Sequence, residues 1–361
     1  MSGHAGPPGS ASTAPASVPS GEAAEVLAAL DLGTNNCRLL IAVPDDQGFR
    51  VIDAFSRIVR LGEGLAHNGS LAPAAIDRTL VALKICAGKL RRRRVTRLRA
   101  VATEACRRAG NGTAFRTRVL EETGIALDII NEAEEAELAI RGCAALLNGG
   151  GCEGLVFDIG GGSTEVVWME CSGETPAARS RSYAPPRVKA LHSIPLGVVT
   201  LAERYGGHEV TDGAYRAMVA ETSRALAPFE AIHKLATRIA GGEVQILGTS
   251  GTVTTLAGIH LGLPRYRRDR VDGCLLEGHT IQILNRRIAA MTFAERARHP
   301  CIGRKRADLV IAGCAILEGL CSVWPMPRLR VADRGLREGI LWSLLQDVWA
   351  PAVAVEAPVV A

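Results

Sequence analysis

Two acidic residues and a run of glycines lie together near the middle of the chain. In residues 154–170, an apolar stretch leads to Asp158, glycines fill positions 160–162, and Glu165 precedes a second apolar stretch. This pattern predicts two strands joined by a tight turn. Backbone N–H groups exposed by such glycines form a nest for anions, and carboxylates beside the nest suit a divalent metal that prefers oxygen ligands. The stretch therefore predicts a site for a metal-bound phosphate chain, with an ordinary glycine-rich hairpin as the alternative.

The same arrangement occurs a second time near the start of the chain. Residues 29–43 also read as an apolar strand, an Asp-x-Gly turn with polar residues, and a second apolar strand. An internal repeat of this kind predicts two related domains whose hairpins face each other across a ligand-binding cleft. Aligned on their aspartates, the two copies pair Asp31 with Asp158, Gly33 with Gly160, Asn36 with Ser163 and Arg38 with Glu165.

Two further segments carry groups suited to phosphate. Residues 97–102 predict a buried strand that delivers Thr103 and Arg107 to the start of a helix. Hydroxyls, guanidinium groups and helix N-termini all bind phosphate oxygens. Residues 244–247 predict another strand, and the Gly-Thr-Ser-Gly-Thr sequence that follows at 248–252 predicts a second phosphate cradle.

An acidic segment, residues 132–137, opens a predicted helix that runs to about residue 147. Acidic side chains in a first helical turn are favoured by the helix dipole, so capping and a solvated surface explain most of these glutamates. One of them is nevertheless a candidate general base.

The composition of the whole chain limits the class of protein. A length of 361 residues and a hydrophobic content of 47% predict about two domains with substantial cores. No apolar run approaches the ~18 residues of a membrane span, so we expect no membrane insertion. Residues 1–24, rich in Gly, Pro, Ser and Ala, predict a disordered extension, and residues 350–361 a flexible tail. The ten cysteines are scattered without a C-x-x-C pair, which predicts free thiols and a cytoplasmic protein.

The net charge of +5 is unevenly distributed along the sequence. Residues 84–99 carry eight Lys or Arg and no acid, including four consecutive arginines at 91–94. This basic run predicts a positive surface that steers a polyanion toward the cleft, and a solvated helix end is the alternative. No aromatic residue interrupts the run, and aromatics make up only 4% of the chain, which argues against single-stranded nucleic acid as the partner.

Seven short motifs follow one another in a fixed order. They are DLGTNNCR at 31–38, ATEACR at 102–107, EEA at 134–136, DIGGGSTE at 158–165, GTSGT at 248–252, RAD at 306–308 and GLREG at 335–339. Together they resemble the exopolyphosphatase / guanosine pentaphosphate phosphohydrolase (Ppx/GppA) family in its short two-domain form, over about residues 26–345. The resemblance implies an α/β fold of two duplicated actin-like (ribonuclease H-like, ASKHA superfamily) domains with an interdomain cleft. It places domain I at residues 25–135, completed by the C-terminal helix at about 335–349, and domain II at 136–334.

The resemblance also implies an activity, the hydrolysis of a terminal phosphoanhydride by water with Mg²⁺ or Mn²⁺ as the cofactor. Glu135 falls on the catalytic glutamate of the family, which orients or deprotonates the water. Asp158 and Glu165 fall on acidic positions that hold the metal and support catalysis. The implied substrates are inorganic polyphosphate and guanosine pentaphosphate, and the implied assembly is a homodimer. The implied phosphate-binding positions are Gly33, Thr34, Asn35, Asn36, Arg38, Thr103, Arg107, Gly160, Gly161, Gly162, Ser163, Gly248, Ser250, Gly251 and Thr252.

Three positions depart from the family pattern. Asn36 replaces the usual Ser, Cys37 replaces an aromatic residue, and Glu132 replaces a Gly just before the Glu-Glu-Ala motif. Two alternatives to a hydrolase stay open: an ATP-dependent kinase of the same superfamily, whose ATP both hairpins would also hold, and a non-catalytic sensor of polyphosphate or alarmone. The Glu-Glu-Ala and Gly-Leu-Arg-Glu-Gly motifs favour the phosphatase branch, and the retained acidic positions argue against lost catalysis.

Overall fold

The structure is a computed structural model that describes residues 25–46, 48–147, 153–170 and 186–349. The predicted N-terminal extension and the predicted tail at 350–361 lie outside the described residues. The polar, Pro-rich sequence at 172–187 predicts an exposed loop, and its residues up to 185 also lie outside the described ranges. Among the residues described, no helix combines the length and the apolar character needed to cross a membrane.

The described chain forms two mixed β-sheets. The first contains β1 (Leu27–Leu32), β2 (Asn36–Asp45), β3 (Gly48–Ile58), β4 (Arg97–Ala102) and β5 (Asp128–Ile129) in the order β3-β2-β1-β4-β5. The second contains β6 (Glu153–Ile159), β7 (Thr164–Glu170), β8 (Arg187–Ile194), β9 (Val244–Thr249), β10 (Leu275–Glu277) and β11 (Arg328–Ala332) in the order β8-β7-β6-β9-β11-β10. In both sheets an antiparallel meander of three strands is extended by two parallel strands, so the second sheet repeats the first and adds the antiparallel edge strand β10.

Helices cover the faces of the two sheets. In chain order they are α1 (Leu65–Asn68), α2 (Pro73–Arg92), α3 (Glu104–Arg108), α4 (Gly112–Thr123), α5 (Glu132–Cys143), α6 (Val198–Tyr205), α7 (Asp212–His233), α8 (Leu235–Ala240), α9 (Gly251–His260), α10 (Arg268–Val271), α11 (Gly278–Ala289), α12 (Phe293–Arg298), α13 (Val310–Val323) and α14 (Leu336–Trp349).

Helix α5 lies between the two sheets and contacts both. Its Leu138 packs in one core cluster with Leu27 of β1 and Leu341 of α14, which joins the C-terminal helix to the first sheet. Its Ile140 packs in another cluster with Leu247 of β9 in the second sheet. Helix α5 thus packs one apolar face against each sheet. The acidic start of this helix therefore lies at the junction of the two halves.

Two helices differ from the limits that the sequence predicts. The sequence predicts one helix over residues 215–239, but the structure has two, because Lys234 adopts a left-handed backbone (φ 50°) that ends α7 and begins α8. The sequence also predicts a helix over residues 306–320, which begins only at Val310, since residues 304–309 form turns. The prediction that completes domain I with the C-terminal helix agrees with the packing of α14, while the exact domain limits stay a prediction.

Candidate active site

The two predicted hairpin turns have the same geometry. The amide of Gly33 donates to the carbonyl oxygen of Asn36 at 2.9 Å, and the amide of Gly160 donates to the carbonyl oxygen of Ser163 at 2.9 Å. In each hairpin the aspartate lies opposite the residue seven positions later, so that Asp31 pairs with Arg38 and Asp158 with Glu165. The alignment proposed from the sequence is therefore the alignment found in space.

The two turns meet face to face, and glycine is required where they touch. A Cβ atom on Gly161 would lie 2.9 Å from Cβ of Thr34 and 3.1 Å from the backbone nitrogen of Asn35. A Cβ atom on Gly162 would lie 1.8 Å from a carboxylate oxygen of Glu104. Any larger residue would push the two halves apart, so the glycine triplet sets how closely the domains approach.

A cavity of about 480 Å³ lies between the turns. Its walls include the two candidate acids Glu135 and Asp158. They also include most of the predicted phosphate-binding positions, namely Gly33, Thr34, Asn35, Asn36, Arg38, Thr103, Gly160, Gly161, Gly162, Ser163, Ser250, Gly251 and Thr252. The structure thus gathers into one cavity residues that are more than 200 positions apart in the sequence.

Three predicted site residues lie off the cavity wall. Gly248 is inside β9, where a Cβ atom would lie 2.6 Å from the ring of Phe157, so its lack of a side chain accommodates the core and not a phosphate. Arg107 and Glu165 lie just behind the wall, and each contacts a cavity residue directly. The structure therefore gives Gly248 no phosphate contact and gives the other two residues an indirect position.

Glu165 is a buried carboxylate held by two serine hydroxyls. Ser163 Oγ donates to Glu165 Oε1 at 2.5 Å, and Ser193 Oγ donates to the same oxygen at 3.0 Å. Burial and the neighbouring Asp158 raise the pKa of Glu165 to about 7, although the two serine hydrogen bonds act in the opposite direction. A carboxyl group with this pKa is partly protonated at pH 7, and a bound cation would stabilise its charged form.

The aspartates of the two hairpins share the same surroundings. Burial raises the pKa of Asp158 to about 6, with Asp31 adding to the rise and Arg38 opposing it. Burial likewise raises the pKa of Asp31. Burial, which disfavours the charged form of a carboxyl group, is the common cause.

These acidic groups fit a hydrated divalent cation that brings further ligands from its substrate. Within the described ranges, no three His, Cys, Asp or Glu side chains are arranged to hold a metal ion by themselves. Mg²⁺ commonly binds one or two carboxylates and completes its octahedron with water and substrate phosphates. Among the residues described, the buried Oδ1 atom of Asn35 has no hydrogen-bond partner, and Asn35 lines the same cavity, as expected of an acceptor for a metal-bound water.

Glu135 lies at the start of α5 and points into the cavity. Asn131 caps this helix, its side chain accepting from the amide of Glu134 at 2.9 Å. Arg107 Nη1 donates to Glu135 Oε2 at 3.1 Å and to the carbonyl oxygen of Ile130 at 2.9 Å, which fixes the orientation of the carboxylate. Burial, followed by the charge of Glu165, raises the pKa of Glu135 well above its ordinary value, although Arg107 opposes the rise.

The other glutamates of the acidic segment point elsewhere. Glu134 forms an ion pair with Arg99, and Glu137 pairs with Arg141 on the outer face of α5. The side chain of Glu135 is 17% exposed, whereas those of Glu134 and Glu137 are 37% and 57% exposed. This difference agrees with the interpretation of Glu134 and Glu137 as surface or capping residues.

Several cavity residues were missed by the sequence analysis. Arg306 and Arg337 line the cavity beside Arg38, and burial, together with repulsion from Arg38, lowers the pKa of both guanidinium groups. Both arginines lie in motifs that carried the family resemblance, so the signal was present. Asp31 occupies the position equivalent to Asp158 and could have been assigned to the site from the repeat alone.

Glu104 is a further residue that the sequence did not single out. Its carboxylate accepts from Thr34 Oγ1 at 2.7 Å and from Arg108 Nη1 at 2.7 Å. The same carboxylate lies against Gly162 of the opposite hairpin. Glu104 therefore orients the hydroxyl of the first turn and forms part of the contact between the two halves.

The basic run lies on the other face of the first sheet from the cavity. Lys89 and Arg93 pair with Asp53 of β3 at 2.6 and 3.0 Å. Ala54, the next residue of β3, lines the cavity, and successive side chains of a strand point to opposite faces of the sheet. That the run steers a polyanion toward the cleft stays a prediction.

Comparisons with known proteins agree with this architecture. The sequence matches the Ppx/GppA phosphatase family over residues 40–348. It is 31% identical over 338 residues to exopolyphosphatase 2 of Mycobacterium tuberculosis, covering 88% of this chain and 98% of the relative. The crystal structure of the Aquifex aeolicus Ppx/GppA family member is similar, with 28% identity, a TM-score of 0.69, and coverage of 90% of this chain and 98% of that one.

A second solved structure is similar to the same extent. An exopolyphosphatase from Cytophaga hutchinsonii shares 25% identity with a TM-score of 0.78, over 90% of this chain and 98% of that one. The predicted α/β fold with two duplicated halves and a cleft between them is confirmed, and its assignment to the actin-like superfamily stays a prediction. The family match spans most of the sequence, and both domains take part in the structural matches. The chain belongs to the Ppx/GppA phosphatase family.

Proposed function

We propose that this chain is an exopolyphosphatase that hydrolyses the terminal phosphoanhydride bond of inorganic polyphosphate and releases phosphate. The observation that carries the proposal is the position of Glu135, a carboxylate oriented by Arg107 inside a cavity bounded by two glycine turns. The similarity to two proteins named exopolyphosphatases supports the same substrate class.

The glycine turns and the arginine provide the binding. Backbone N–H groups at Thr34, Asn35, Gly161 and Gly162, together with the guanidinium of Arg38, would hold the terminal phosphates. Asp158 and Glu165 would hold Mg²⁺ or Mn²⁺, and the cation would neutralise charge on the phosphate oxygens. Phosphoryl transfer depends mainly on positioning and charge neutralisation, which is what this set of residues can supply.

Glu135 would accept the proton of the attacking water. The water oxygen forms a bond to the terminal phosphorus while the bond from that phosphorus to the bridging oxygen breaks, and the leaving oxygen carries the electron pair. Glu135 suits this role better than Glu165, because Glu135 lines the cavity while Glu165 Oε1 is occupied by two serine hydroxyls. A raised pKa brings Glu135 closer to the operating pH, where a general base is most effective.

Guanosine pentaphosphate is a second candidate substrate. The cavity continues past the glycine turns to Arg38, Arg306 and Arg337, which would bind a second phosphate group on the same molecule. A kinase is disfavoured because a kinase base must activate a substrate hydroxyl, whereas Glu135 is placed between the two phosphate turns.

The test measures phosphate release and binding for Glu135→Gln, with Glu137→Gln on the outer face of the same helix as the matched control. We expect kcat to fall by about 10²-fold or more in Glu135→Gln, the usual cost of removing a general base, while polyphosphate binding persists. Glu137→Gln and Glu134→Gln should stay within a few-fold of the unmodified protein.

The substrates to compare are long-chain polyphosphate, guanosine pentaphosphate and ATP, each with Mg²⁺ and with a chelator. Polyphosphate hydrolysis that needs Mg²⁺ and Glu135 supports the proposal. Phosphate transfer from ATP to an added hydroxyl acceptor would establish the kinase, and binding of polyphosphate without any turnover would establish the sensor. If Glu134→Gln is inactive and Glu135→Gln is active, the general base is the neighbouring residue.

A further inference from the structure

The turn between β3 and α1 forms a contact that joins the two domains at the edge of the cleft. Arg60 Nη1 lies 2.7 Å from Asp308 Oδ2, and Arg60 Nη2 donates to Asp308 Oδ1 at 2.9 Å. The amide of Gly64 donates to Glu203 Oε1 of α6 at 2.8 Å. Arg60 and Gly64 belong to the first half of the molecule, whereas Asp308 and Glu203 belong to the second.

The same turn is bonded to the first glycine turn. The amides of Val59 and Arg60 donate to the carbonyl oxygen of Asn35 at 2.8 and 3.0 Å, and the amide of Gly62 donates to the carbonyl oxygen of Thr34 at 2.9 Å. Three backbone hydrogen bonds therefore connect the Arg60 segment to residues that line the cavity. A displacement of Arg60 would be passed directly to this phosphate-binding turn.

The partner of Arg60 is equally close to the cavity on the other side. Asp308 follows Arg306 by two residues in the same turn, and Arg306 lines the cavity with its Nη1 atom 3.5 Å from Thr255 Oγ1. The Arg60–Asp308 pair thus joins two segments. One is bonded to cavity residues of the first domain, and the other contains a cavity residue of the second domain.

Two features allow this contact to be made and broken. The side chains of Arg60 and Asp308 are 32% and 14% exposed, and ion pairs with this access to water contribute little enough to be reversible. Arg60 also has a left-handed backbone (φ 50°), a conformation that costs energy in a residue other than glycine and that recurs at functional sites.

We propose that the Arg60–Asp308 pair is an interdomain latch, and that both are positioning residues which hold the first glycine turn and Arg306 in register when the cleft is closed. This inference rests on the proposed function for the identity of the substrate, a polyphosphate chain. The latch stabilises the closed, binding-competent arrangement, and apparent affinity falls in proportion to the fraction of molecules in that arrangement.

The test compares Arg60→Ala, Asp308→Asn and the double variant with Arg118→Ala, which removes an arginine paired with Asp77 and Glu122 inside domain I. We expect the radius of gyration in small-angle X-ray scattering, measured without substrate, to increase in all three latch variants and to stay unchanged in Arg118→Ala. For long-chain polyphosphate we expect KM to rise about five-fold with kcat within about two-fold. The double variant should be no worse than either single variant, because each removes the same interaction.

Scattering does not require turnover, so it tests the latch even if the chain releases no phosphate from polyphosphate. An unchanged radius of gyration in both single variants overturns the proposal. So does a fall in kcat at constant KM, which would place Arg60 in the chemical step, or a double variant whose effects are the sum of the singles. Urea unfolding is measured on each variant, and only variants that unfold in one cooperative transition enter the comparison. Arg60→Gln and Asp308→Ala replace any that do not.

Discussion

Replacing Glu165 by glutamine should make the metal-free protein more stable and less active at the same time. The glutamine Oε1 can still accept from Ser163 and Ser193, so the substitution removes charge with little change in packing. Raising the pKa of Glu165 from 4.5 to about 7 means that ionising this side chain costs the folded state about 3 kcal/mol.

The sign of the pH dependence follows from the raised folded-state pKa of Glu165. Its contribution to stability is fully present below the unfolded value of 4.5 and is lost as pH rises through about 7. In a chelator, Glu165→Gln should therefore exceed the unmodified protein by about 1 kcal/mol at pH 5 and by about 3 kcal/mol at pH 8. Urea unfolding at the two pH values measures this difference, with the exposed Glu137→Gln as the control.

Adding Mg²⁺ should reverse the order of stability of Glu165→Gln and the unmodified protein. A cation that binds the folded state beside Glu165 stabilises the unmodified protein more than the variant, and phosphate release should be low in the variant at both pH values. An identical pH dependence in the two proteins would refute the reasoning, because Glu165 would then ionise without cost. Stabilisation of both proteins to the same extent by Mg²⁺ would refute its role as a metal ligand.

Three further substitutions test other parts of the site. Asp158→Asn should fold normally yet lose Mg²⁺-dependent phosphate release and thermal stabilisation by Mg²⁺, and full activity of the folded variant would contradict the metal assignment. Gly161→Ala should lower kcat/KM about 10-fold or more by pushing the turns apart at Thr34, with the unfolding midpoint as control, and normal kinetics would contradict the close contact. Replacing the arginines at 91–94 by glutamine should raise KM for long polyphosphate and flatten its salt dependence, with kcat and short-chain kinetics unchanged, and an unchanged KM at low ionic strength would leave only a solvated surface.

Features that depend on local sequence were predicted well. Both glycine turns could be predicted because the signal is local. Glycine, aspartate and flanking apolar residues within about ten positions together indicate a strand, a turn and a second strand. Gly248 shows the limit of this reasoning. The Gly-Thr-Ser-Gly-Thr segment has the composition of an anion nest, but β9 continues to Thr249, so the first glycine remains inside the sheet.

Features that depend on how the halves pack were missed. Arg60 and Asp308 are 248 positions apart, and neither stands in a pattern that identifies its partner. Glu104 stands in the motif at 102–107, but that motif does not reveal its contact with Gly162, which exists only when the two turns face each other. Helices α11 and α12 also went unpredicted, because residues 256–305 contain none of the motifs on which the predictions were based.

The duplicated hairpins differ in one cross-strand pair of charges. The pair in the first hairpin contributes to stability, and, in the proposed function, the pair in the second contributes to catalysis. Asp31 lies opposite Arg38, an attractive cross-strand pair, whereas Asp158 lies opposite Glu165, a repulsive one. A cation bound beside Asp158 and Glu165 would relieve the repulsion in the second hairpin. The N-terminal half should therefore tolerate metal depletion, and the second hairpin should be the first to exchange its amide protons when Mg²⁺ is withdrawn.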